Sequence, residues 1–253
     1  MTNSQTTSRY DLSGKSALIT GGGGLLGPEH GIGLARCGAQ VILIDICKDG
    51  LEKAHQRITS EISEADVLIE TVDVTDQMAL VDLREKLKAQ GSMVDILVNN
   101  AAINFSEENK NLTINKYNKL MNINLKAPFM ITKAISKKMI KHKYGRIINI
   151  SSIASTRVRA GRSVYSASKF ALRGLAQSLR AECTSSGVRV TIVNPGMVRT
   201  NFFEALNFEP GPDPANFIEA DDVAGIIASI LDTRLETVFD EINLSPLKKA
   251  IKK

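Results

Sequence analysis

The residues of this sequence best suited to proton transfer are Tyr165 and Lys169, which lie four positions apart. Residues 164–183 are compatible with one unbroken helix, and positions four apart share a helix face. A tyrosine hydroxyl ionises near pH ~10, and an adjacent ammonium lowers its pKa by favouring the phenolate. The pair therefore predicts a tyrosine that exchanges a proton near neutral pH. Because such pairs are also common on solvated helix faces, the surrounding sequence has to decide between the two interpretations.

A serine that precedes this pair is expected to lie at the same site. Residues 146–152 begin as an apolar, β-branched run typical of a buried strand, and Ser152 closes the run. In an open parallel sheet, ligands bind at the carboxyl ends of the strands. Ser152 is therefore placed where a substrate would bind.

A glycine-rich stretch near the amino terminus is typical of a phosphate-binding loop. The apolar residues 16–20 predict a strand, glycines dominate 21–27, and Pro28 suits the first turn of a following helix. Glycines let a backbone approach a pyrophosphate, and the helix amino terminus supplies N–H donors. Gly31 and Gly33 fall inside that helix, so we expect them to permit close helix packing rather than to form a second loop.

The second predicted strand, residues 40–45, ends in a carboxylate. Asp45 lies about twenty residues beyond the glycine loop, where an acid can accept hydrogen bonds from the adenosine ribose and repel a 2′-phosphate. This favours NAD over NADP. Two alternatives stay open: Lys48 could bind a 2′-phosphate, and Asp45 could instead be a helix cap.

Strands and helices alternate along the whole chain. This order predicts an α/β protein with a doubly wound Rossmann fold, a central parallel sheet of about seven strands and helices on both faces. The further predicted strands cover residues 67–72, 93–98 and 188–194, and the further predicted helices cover 77–90, 220–231 and 112–139, the last interrupted near Pro128.

The length of 253 residues with 43% hydrophobic content fits one large domain. We expect a single domain over 12–247, with a flexible extension at 1–11 and a basic tail at 248–253.

Composition argues against several other classes of protein, such as disulfide-rich, membrane-spanning and nucleic-acid-binding proteins. Cys37, Cys47 and Cys183 are widely spaced, which argues against a disulfide framework or a zinc site and favours small packing residues in a reducing compartment. The sequence lacks the apolar core of a signal peptide and any run long enough to span a membrane, so a cytoplasmic location is expected. The net charge of +5 is spread along the chain apart from 137–143 and the tail, so neither nucleic acid nor membrane is expected as a partner.

Taken together, these motifs resemble those of the short-chain dehydrogenase/reductase family in its single-domain form. The resemblance covers about residues 12–245. It is carried by several motifs in order: Thr20 and Gly21 with the glycine loop, Asp45, Asp73, Asn99-Asn100-Ala101, Asn124, Ser152, Tyr165 with Lys169, and Asn194-Pro195-Gly196 with Thr200.

The resemblance implies an NAD(P)-dependent oxidoreductase that interconverts a carbonyl group and a secondary alcohol, with NAD(H) preferred and NADP(H) as the alternative. Tyr165 would be the proton donor and acceptor, Lys169 would lower its pKa and hold the nicotinamide ribose, Ser152 would bind the substrate oxygen, and Asn124 would hold a water in the proton relay. The implied cofactor-binding residues are Thr20, Gly21, Gly23, Gly24, Leu25, Leu26, Gly27, Asp45, Ile46, Asp73, Val74, Asn99, Asn100, Ala101, Ala102, Tyr165, Lys169, Pro195, Gly196, Val198 and Thr200.

Two positions depart from the family pattern. Leu25 stands where the short branch usually has a glycine, and Gly21, Gly24 and Gly27 instead follow a spacing more typical of the longer branch that modifies sugar nucleotides. The chain is too short for the substrate domain of that branch, so we expect the loop to sit differently on the pyrophosphate. Ala102 replaces a usual glycine, and we expect it to narrow the cleft without loss of activity.

The substrate is less defined. Arg157, Arg159 and Arg162 follow Ser152 and could bind a carboxylate or a phosphate, or could be solvated or lie at a subunit contact. The resemblance implies that residues 197–217 form a lid over the substrate. This segment contains Phe202, Phe203 and Phe208, which suggest a partly apolar substrate, although they could pack equally well against the protein itself. Residues 240–246 lack the glycine-rich ending common among acyl-carrier reductases, which favours small hydroxy acids, amino alcohols or other carbonyl compounds.

The family resemblance also implies a homodimer or homotetramer that uses the helices at 112–139 and 164–183, although amphipathic helices pack equally well in a monomer. Two alternative functions stay open. One is an enzyme of the same family acting on a sugar or a nucleotide-sugar. The other is a non-catalytic NAD(P)-binding regulator, for which loss of at least one of the four implied catalytic residues is expected, whereas all four are present.

Overall fold

The computed structural model describes residues 11–200, residues 209–248 and the backbone of residues 251–252. Within these ranges the strands are β1 (Ser16–Thr20), β2 (Gln40–Asp45), β3 (Val67–Thr71), β4 (Val94–Asn99), β5 (Gly145–Ile150), β6 (Val188–Asn194), β7 (Glu209–Pro210), β8 (Glu241–Asn243) and β9 (Ile251–Lys252). The α-helices are α1 (Gly27–Arg36), α2 (Lys48–Glu61), α3 (Gln77–Ala89), α4 (Ile114–Met121), α5 (Ala127–His142), α6 (Ser163–Cys183) and α7 (Ala220–Leu231).

The central sheet contains seven strands in the order β3-β2-β1-β4-β5-β6-β8, and every neighbouring pair is parallel. The order reverses between β1 and β4, which is the switch point where an open α/β sheet forms a ligand crevice. The predicted fold class is therefore confirmed.

Helices cover both faces of the sheet, and the central strands are therefore buried on both sides. Strands β1, β4, β5 and β6 are buried along their whole length. On one face, the apolar sides of α1, α2 and α7 form a core with residues such as Ile32, Ile58 and Ile227. On the other face, α3 and α5 contribute residues such as Leu83 and Ile131. Each fully buried aliphatic side chain contributes about 1.5–3 kcal/mol to folding.

The long helix predicted for 112–139 is two helices joined by a π-helical turn. Helix α4 ends at Met121, residues Asn122–Lys126 form the turn, and α5 begins at Ala127. Pro128 is not the cause of a break within a helix, because it lies in the first turn of α5, where its missing N–H is tolerated. π-turns occur often at functional sites, and this one carries Asn124.

The two glycines inside α1 differ in how closely they are packed. A Cβ at Gly31 would lie 2.5 Å from Cδ1 of Ile58 on α2, whereas a Cβ at Gly33 would meet nothing closer than 3.6 Å, at the carbonyl oxygen of Ala224. Close packing is thus the reason for the first glycine only.

Two of the three cysteines are buried and unbridged, as predicted. Cys47 differs because it is exposed, and it is the N-cap residue of α2, where its sulfur accepts a hydrogen bond from the Gly50 amide at 3.4 Å. No helix among the described residues has the length and apolarity required to span a lipid bilayer. The cytoplasmic location stays a prediction of the sequence.

The carboxyl-terminal segment returns to the predicted lid. Strand β9 pairs antiparallel with β7, the Lys248 amide donates to the Ala215 carbonyl at 2.8 Å, and the Lys248 ammonium forms an ion pair with Asp213 at 2.9 Å. Several parts of the predicted segments lie outside the described residues: most of the amino-terminal extension, the lid residues Phe202, Phe203 and Phe208, and Lys249, Ala250 and Lys253 of the tail.

Candidate active site

A cavity of about 910 Å³ opens along the carboxyl ends of the parallel strands. It extends from Asp45 and Asp73, after β2 and β3, to Ser152 and Tyr165, after β5 and at the start of α6. Most of the predicted cofactor residues line this one cavity: Gly21, Gly24, Leu25, Leu26, Asp45, Ile46, Asp73, Val74, Asn100, Ala101, Ala102, Tyr165, Lys169, Pro195, Gly196, Val198 and Thr200.

The glycine loop is fixed against the end of β4. The Asn100 side-chain amide donates to the carbonyls of Thr20 at 3.0 Å and Gly21 at 3.1 Å. Gly21 has a φ of 65°, and a Cβ there would lie 2.9 Å from Cα of Ala101. Only glycine fits this position, because both the backbone conformation and the close approach exclude a side chain.

Three residues predicted to bind cofactor lie behind the cavity wall instead. The Thr20 hydroxyl accepts hydrogen bonds from the amides of Asn100 and Ala101, both at 3.0 Å. The Gly23 amide donates to Oδ2 of Asp45 at 3.2 Å. A Cβ at Gly27 would lie 2.6 Å from the Gly21 carbonyl oxygen. These contacts shape the loop and position Asp45.

Asp45 is anchored by backbone amides at one end of the cavity. Besides the bond from Gly23, its Oδ1 accepts from the Cys47 amide at 3.0 Å. The alternative that Asp45 caps a helix is wrong, because the N-cap residue of α2 is Cys47. Lys48 is exposed, and its Nζ lies 3.7 Å from Oε1 of Glu52. Glu52 is one turn further along the same helix, so the two residues form an ion pair on α2.

Tyr165, Ser152 and Lys169 meet at the other end of the cavity. The side chains of Ser152 and Tyr165 are hydrogen-bonded to each other, and Oγ of Ser152 also accepts from the Ala154 amide at 3.1 Å. Nζ of Lys169 donates to the Ile150 carbonyl at 3.1 Å and lies 5.8 Å from the centre of the Tyr165 ring. The predicted helix therefore brings the tyrosine and the lysine to the serine at the end of β5.

The electrostatics of this group differ from the prediction. Burial raises the pKa of Tyr165, opposed by the hydrogen bond from Ser152 and by the charge of Arg162. Burial lowers the pKa of Lys169 from 10.5 to about 8. The expectation that Lys169 brings the Tyr165 pKa below its ordinary value is wrong for this structure, because desolvation of the phenolate outweighs the favourable charges and the ammonium points at the Ile150 carbonyl.

Two asparagines do not line the cavity. Asn124 is completely buried: its Oδ1 accepts from the Ile103 amide at 2.9 Å, and its Nδ2 donates to the Ile103 carbonyl at 2.9 Å and to Ser168 at 3.2 Å. Asn99 faces α5 rather than the cleft, and its Nδ2 donates to Asn149 at 2.9 Å and to Thr132 at 3.2 Å. Each side chain therefore fixes neighbouring backbone or helix instead of facing a ligand.

The structure adds residues that the sequence analysis missed. Lys119, Asn122 and Ile123 line the cavity from the segment that carries Asn124. Lys119 and Asn122 could have been predicted to line the cavity together, because residues three positions apart share a helix face. Further additions are Val72, Thr75, Ile103, Ile150, Ser151, Ile153, Ala154, Ser166, Met197 and Pro246.

The cavity fits a dinucleotide by its shape and its polar groups. The Gly21 backbone forms a cradle that a Cβ would fill, at the point where the strand order reverses. Asp45 and Asp73 supply acceptors at one end, while Tyr165 and Lys169 supply ionisable groups at the other. Acidic end, glycine loop and polar end thus occur in the order that the adenosine ribose, the pyrophosphate and the nicotinamide of a dinucleotide require.

Comparison with known proteins agrees with this geometry. The family model of the short chain dehydrogenases matches residues 15–210. The chain is 32% identical to the 3-oxoacyl-(acyl-carrier-protein) reductase FabG of Escherichia coli strain K12 over 225 residues, which is 89% of this chain and 85% of the relative. It is 36% identical to the oxidoreductase UcpA of Salmonella typhimurium over 210 residues, which is 80% of this chain and 76% of that one.

Solved structures give the same result. A candidate gluconate dehydrogenase from Agrobacterium tumefaciens superposes with a TM-score of 0.85 at 27% identity, covering 93% of this chain and 96% of that one. A metagenomic short-chain oxidoreductase in complex with NADP superposes with a TM-score of 0.80 at 28% identity, covering 94% and 99%. With the site and these relatives in agreement, the chain belongs to the short-chain dehydrogenase family and is a nicotinamide-dependent oxidoreductase.

Proposed function

We propose that the enzyme interconverts a carbonyl group and a secondary alcohol, with Tyr165 as the general acid and base. The observation that carries this proposal is the hydrogen-bonded Ser152–Tyr165 pair, which lines the cavity beside Lys169. Both hydroxyls face the same space, so both can donate to one substrate oxygen. Donors fixed where negative charge develops stabilise the transition state of carbonyl reduction.

The bound nicotinamide would supply or accept the hydride. The chain itself would hold the substrate oxygen between Ser152 and Tyr165 and move a proton at the Tyr165 hydroxyl. Ser152 is oriented for this by its bond from the Ala154 amide. Lys169, which lines the cavity beside Tyr165, would bind the nicotinamide ribose through its ammonium group. Asn124 would act from behind the cavity, by fixing Ile103 and the π-turn.

We propose that NAD(H) is the preferred cofactor. Asp45 lines the cavity with a carboxylate held in place by two backbone amides, and it would accept the ribose hydroxyls and repel a 2′-phosphate. Lys48 is occupied by Glu52 in an exposed ion pair. NADP(H) is the alternative, and it is supported by the NADP complex of a related oxidoreductase.

A sugar or sugar acid is the second candidate substrate class. The similarity to a candidate gluconate dehydrogenase favours it, as does the spacing of Gly21, Gly24 and Gly27. The non-catalytic alternative is weaker, because the four implied catalytic residues are all present.

We also propose a homo-oligomer. Helices α5 and α6 expose Phe129 and Phe170, which are 47% and 43% accessible. Large apolar side chains on two neighbouring helices favour a subunit contact. Analytical ultracentrifugation of the wild type and of a Phe129→Ser, Phe170→Ser double variant would test this, and a wild-type monomer would contradict it.

The experiment that tests the function combines cofactor binding with turnover. Titration with NADH and, separately, with NADPH is followed by nicotinamide fluorescence, and the better cofactor is used to screen ketones, oxo acids and sugars. Tyr165→Phe should abolish turnover and leave cofactor binding within about twofold, because it removes only the proton donor. Tyr117→Phe is the matched control, since Tyr117 lies on α4 outside the cavity lining.

Retained turnover in Tyr165→Phe would remove the catalytic assignment. Tighter binding of NADPH than of NADH would contradict the proposed preference for NAD(H) but not the proposed reaction. If neither cofactor bound, the proposed reaction itself would be wrong.

A further inference from the structure

The ionisable residues of the cavity are segregated by charge. Among the described lining residues, the carboxylates are Asp45 and Asp73, both at the β2–β3 end. The opposite end, around Ser152 and Tyr165, is lined by several cations and, within the described chain, by no carboxylate. Those cations are Lys119, Arg157, Arg159, Arg162 and Lys169.

Arg162 is the cation most closely linked to the proposed chemistry. It directly precedes α6 and lies one helical turn before Tyr165, and its charge acts on the tyrosine hydroxyl. Burial lowers the pKa of Arg162, and the neighbouring charge of Arg159 lowers it further. Two like charges are therefore held close together at the substrate end, and a bound anion would relieve both the repulsion and the desolvation.

The loop that carries these arginines is hydrogen-bonded to the segment between β4 and α4. The Gly161 carbonyl accepts from the Glu107 amide at 2.9 Å, and the Ser163 hydroxyl is bonded to the Asn109 side chain at 3.3 Å. Glu107 is itself paired with Lys116 at 2.8 Å, so its charge is already compensated. The residues on either side of Arg162 in the sequence, Gly161 and Ser163, are thus both fixed to this segment.

Two arginines of this loop line the cavity without an ion pair to any carboxylate that the structure describes: Arg157 and Arg159. Four arginines elsewhere in the described chain do have acidic partners: Arg36 with Glu61, Arg57 with Glu29, Arg84 with Glu85 and Arg199 with Glu219. The exposed Arg234, by contrast, has no acidic partner among the described residues. Arg157 and Arg159 are also exposed, yet neither has an acidic group within ion-pair distance in the described residues. An anionic ligand bound in the cavity would supply a counter-charge to both guanidiniums.

We propose that the substrate carries a carboxylate close to its reacting carbon, as an oxo acid or the corresponding hydroxy acid, and that Arg159 and Arg162 bind this carboxylate. The inference rests on the proposed reaction at Tyr165, because it places the carboxylate relative to that hydroxyl. A guanidinium presents two parallel N–H groups that match the two oxygens of a carboxylate. Arg157 and Lys119 extend the same positive potential towards the cavity mouth and attract the anion.

The test compares acids with neutral compounds of nearly equal shape. Acetoacetate with acetoacetamide, and levulinate with levulinamide, are titrated into the full-length protein by calorimetry, with and without NADH. The acids should bind at least about tenfold more tightly than the amides, as expected for charge-assisted bidentate hydrogen bonds. Arg159→Gln and Arg162→Gln should reduce each acid to the affinity of its amide. Arg84→Gln, on α3 and outside the cavity lining, is the matched control and should leave both unchanged.

Arg162→Lys is a second variant, to be used if a thermal melt shows that Arg162→Gln folds poorly. It retains the positive charge without the planar pair of donors, so it should keep part of the preference for the acids. Equal binding of acid and amide, no binding of either, or a preference that survives both glutamine variants would overturn the proposal. A preference for dihydroxyacetone phosphate over dihydroxyacetone, without a preference for the carboxylates, would also overturn it in favour of a phosphate. Tyr165→Phe separates the two proposals, because it should lose turnover and keep the preference for acids.

Discussion

The two ends of the cavity are built differently. At the β2–β3 end, close contacts with backbone groups fix the walls. The Asn100 side-chain amide binds two carbonyls of the glycine loop, Gly21 has no space for a side chain, and the Asp45 carboxylate is fixed by two backbone amides. At the Tyr165 end, long exposed side chains such as Arg157 and Arg159 line the space. The first end is suited to a ligand of fixed structure, such as the cofactor. At the second end, substitution of exposed side chains can change which substrate is bound without disturbing the sheet.

Lys169 lies at the Tyr165 end, and its replacement should have the largest effect. Lys169→Met should abolish turnover, because it removes the charge that would act on Tyr165 and the ribose. The same variant should be more stable than the wild type at pH 7, because the wild type buries an ammonium whose pKa is lowered to about 8.

The pH dependence of this stability difference has a defined sign. Below a pH of about 8 the lysine is protonated in both states, so the full destabilisation is present. As the pH rises from about 8 to 10.5, the folded protein loses a proton that the unfolded chain keeps, and the wild type gains stability relative to the variant. Denaturant unfolding of both proteins at pH 7, 8.5 and 10 would measure this. A constant or widening gap would contradict the prediction.

The parts of this fold that were predictable from sequence are those fixed by local pattern. Strand Val188–Asn194 and helix Ala220–Leu231 have the predicted bounds, because the strand is a continuous buried run and the helix begins with a capping box. The glycine loop was recognisable because glycine is required where backbones come close together, as at Gly21.

The parts that were missed depend on tertiary contacts. The π-turn at Asn122–Lys126 has no signature in residue type, and only the structure distinguishes Asn100, which lines the cavity, from Asn99, which faces α5. The pKa of Tyr165 was predicted in the wrong direction, because spacing on a helix indicates proximity to Lys169 but not the depth of burial.

Gly27→Ala tests the rigidity of the β2–β3 end. Its methyl group would lie 2.6 Å from the Gly21 carbonyl oxygen and closer still to that of Gly22, so the loop must shift. Overpacking of this kind costs about 1–3 kcal/mol, which corresponds to a loss of roughly fivefold to 150-fold if it appears in cofactor affinity. Gly33→Ala, in the same helix with only ordinary contacts, is the control. Equal NADH affinity in the two variants would show that the loop is pliable.

Asp45→Ser tests the selectivity of the same end and should have a smaller effect. It removes the negative charge and leaves a hydroxyl, so the ratio of NADH to NADPH affinity should fall by about tenfold. Lys48→Ala should leave that ratio within about twofold, because Lys48 is an exposed group paired with Glu52. Parallel fluorescence titrations with both cofactors measure the two ratios. A larger change in the lysine variant would assign selectivity to Lys48.

The smallest effect is expected at the carboxyl-terminal contact with the lid. The Lys248–Asp213 pair is exposed on both sides, with side-chain accessibilities of 63% and 47%, and water screens such pairs. Lys248→Ala should therefore change substrate KM by less than about twofold and leave cofactor affinity unchanged. Asp213→Ala should do more, because Asp213 also accepts a hydrogen bond from the Ala215 amide at 2.9 Å and so fixes the turn at Pro214–Asn216. If the lysine variant had the larger effect, the ion pair rather than the turn would position this side of the substrate end.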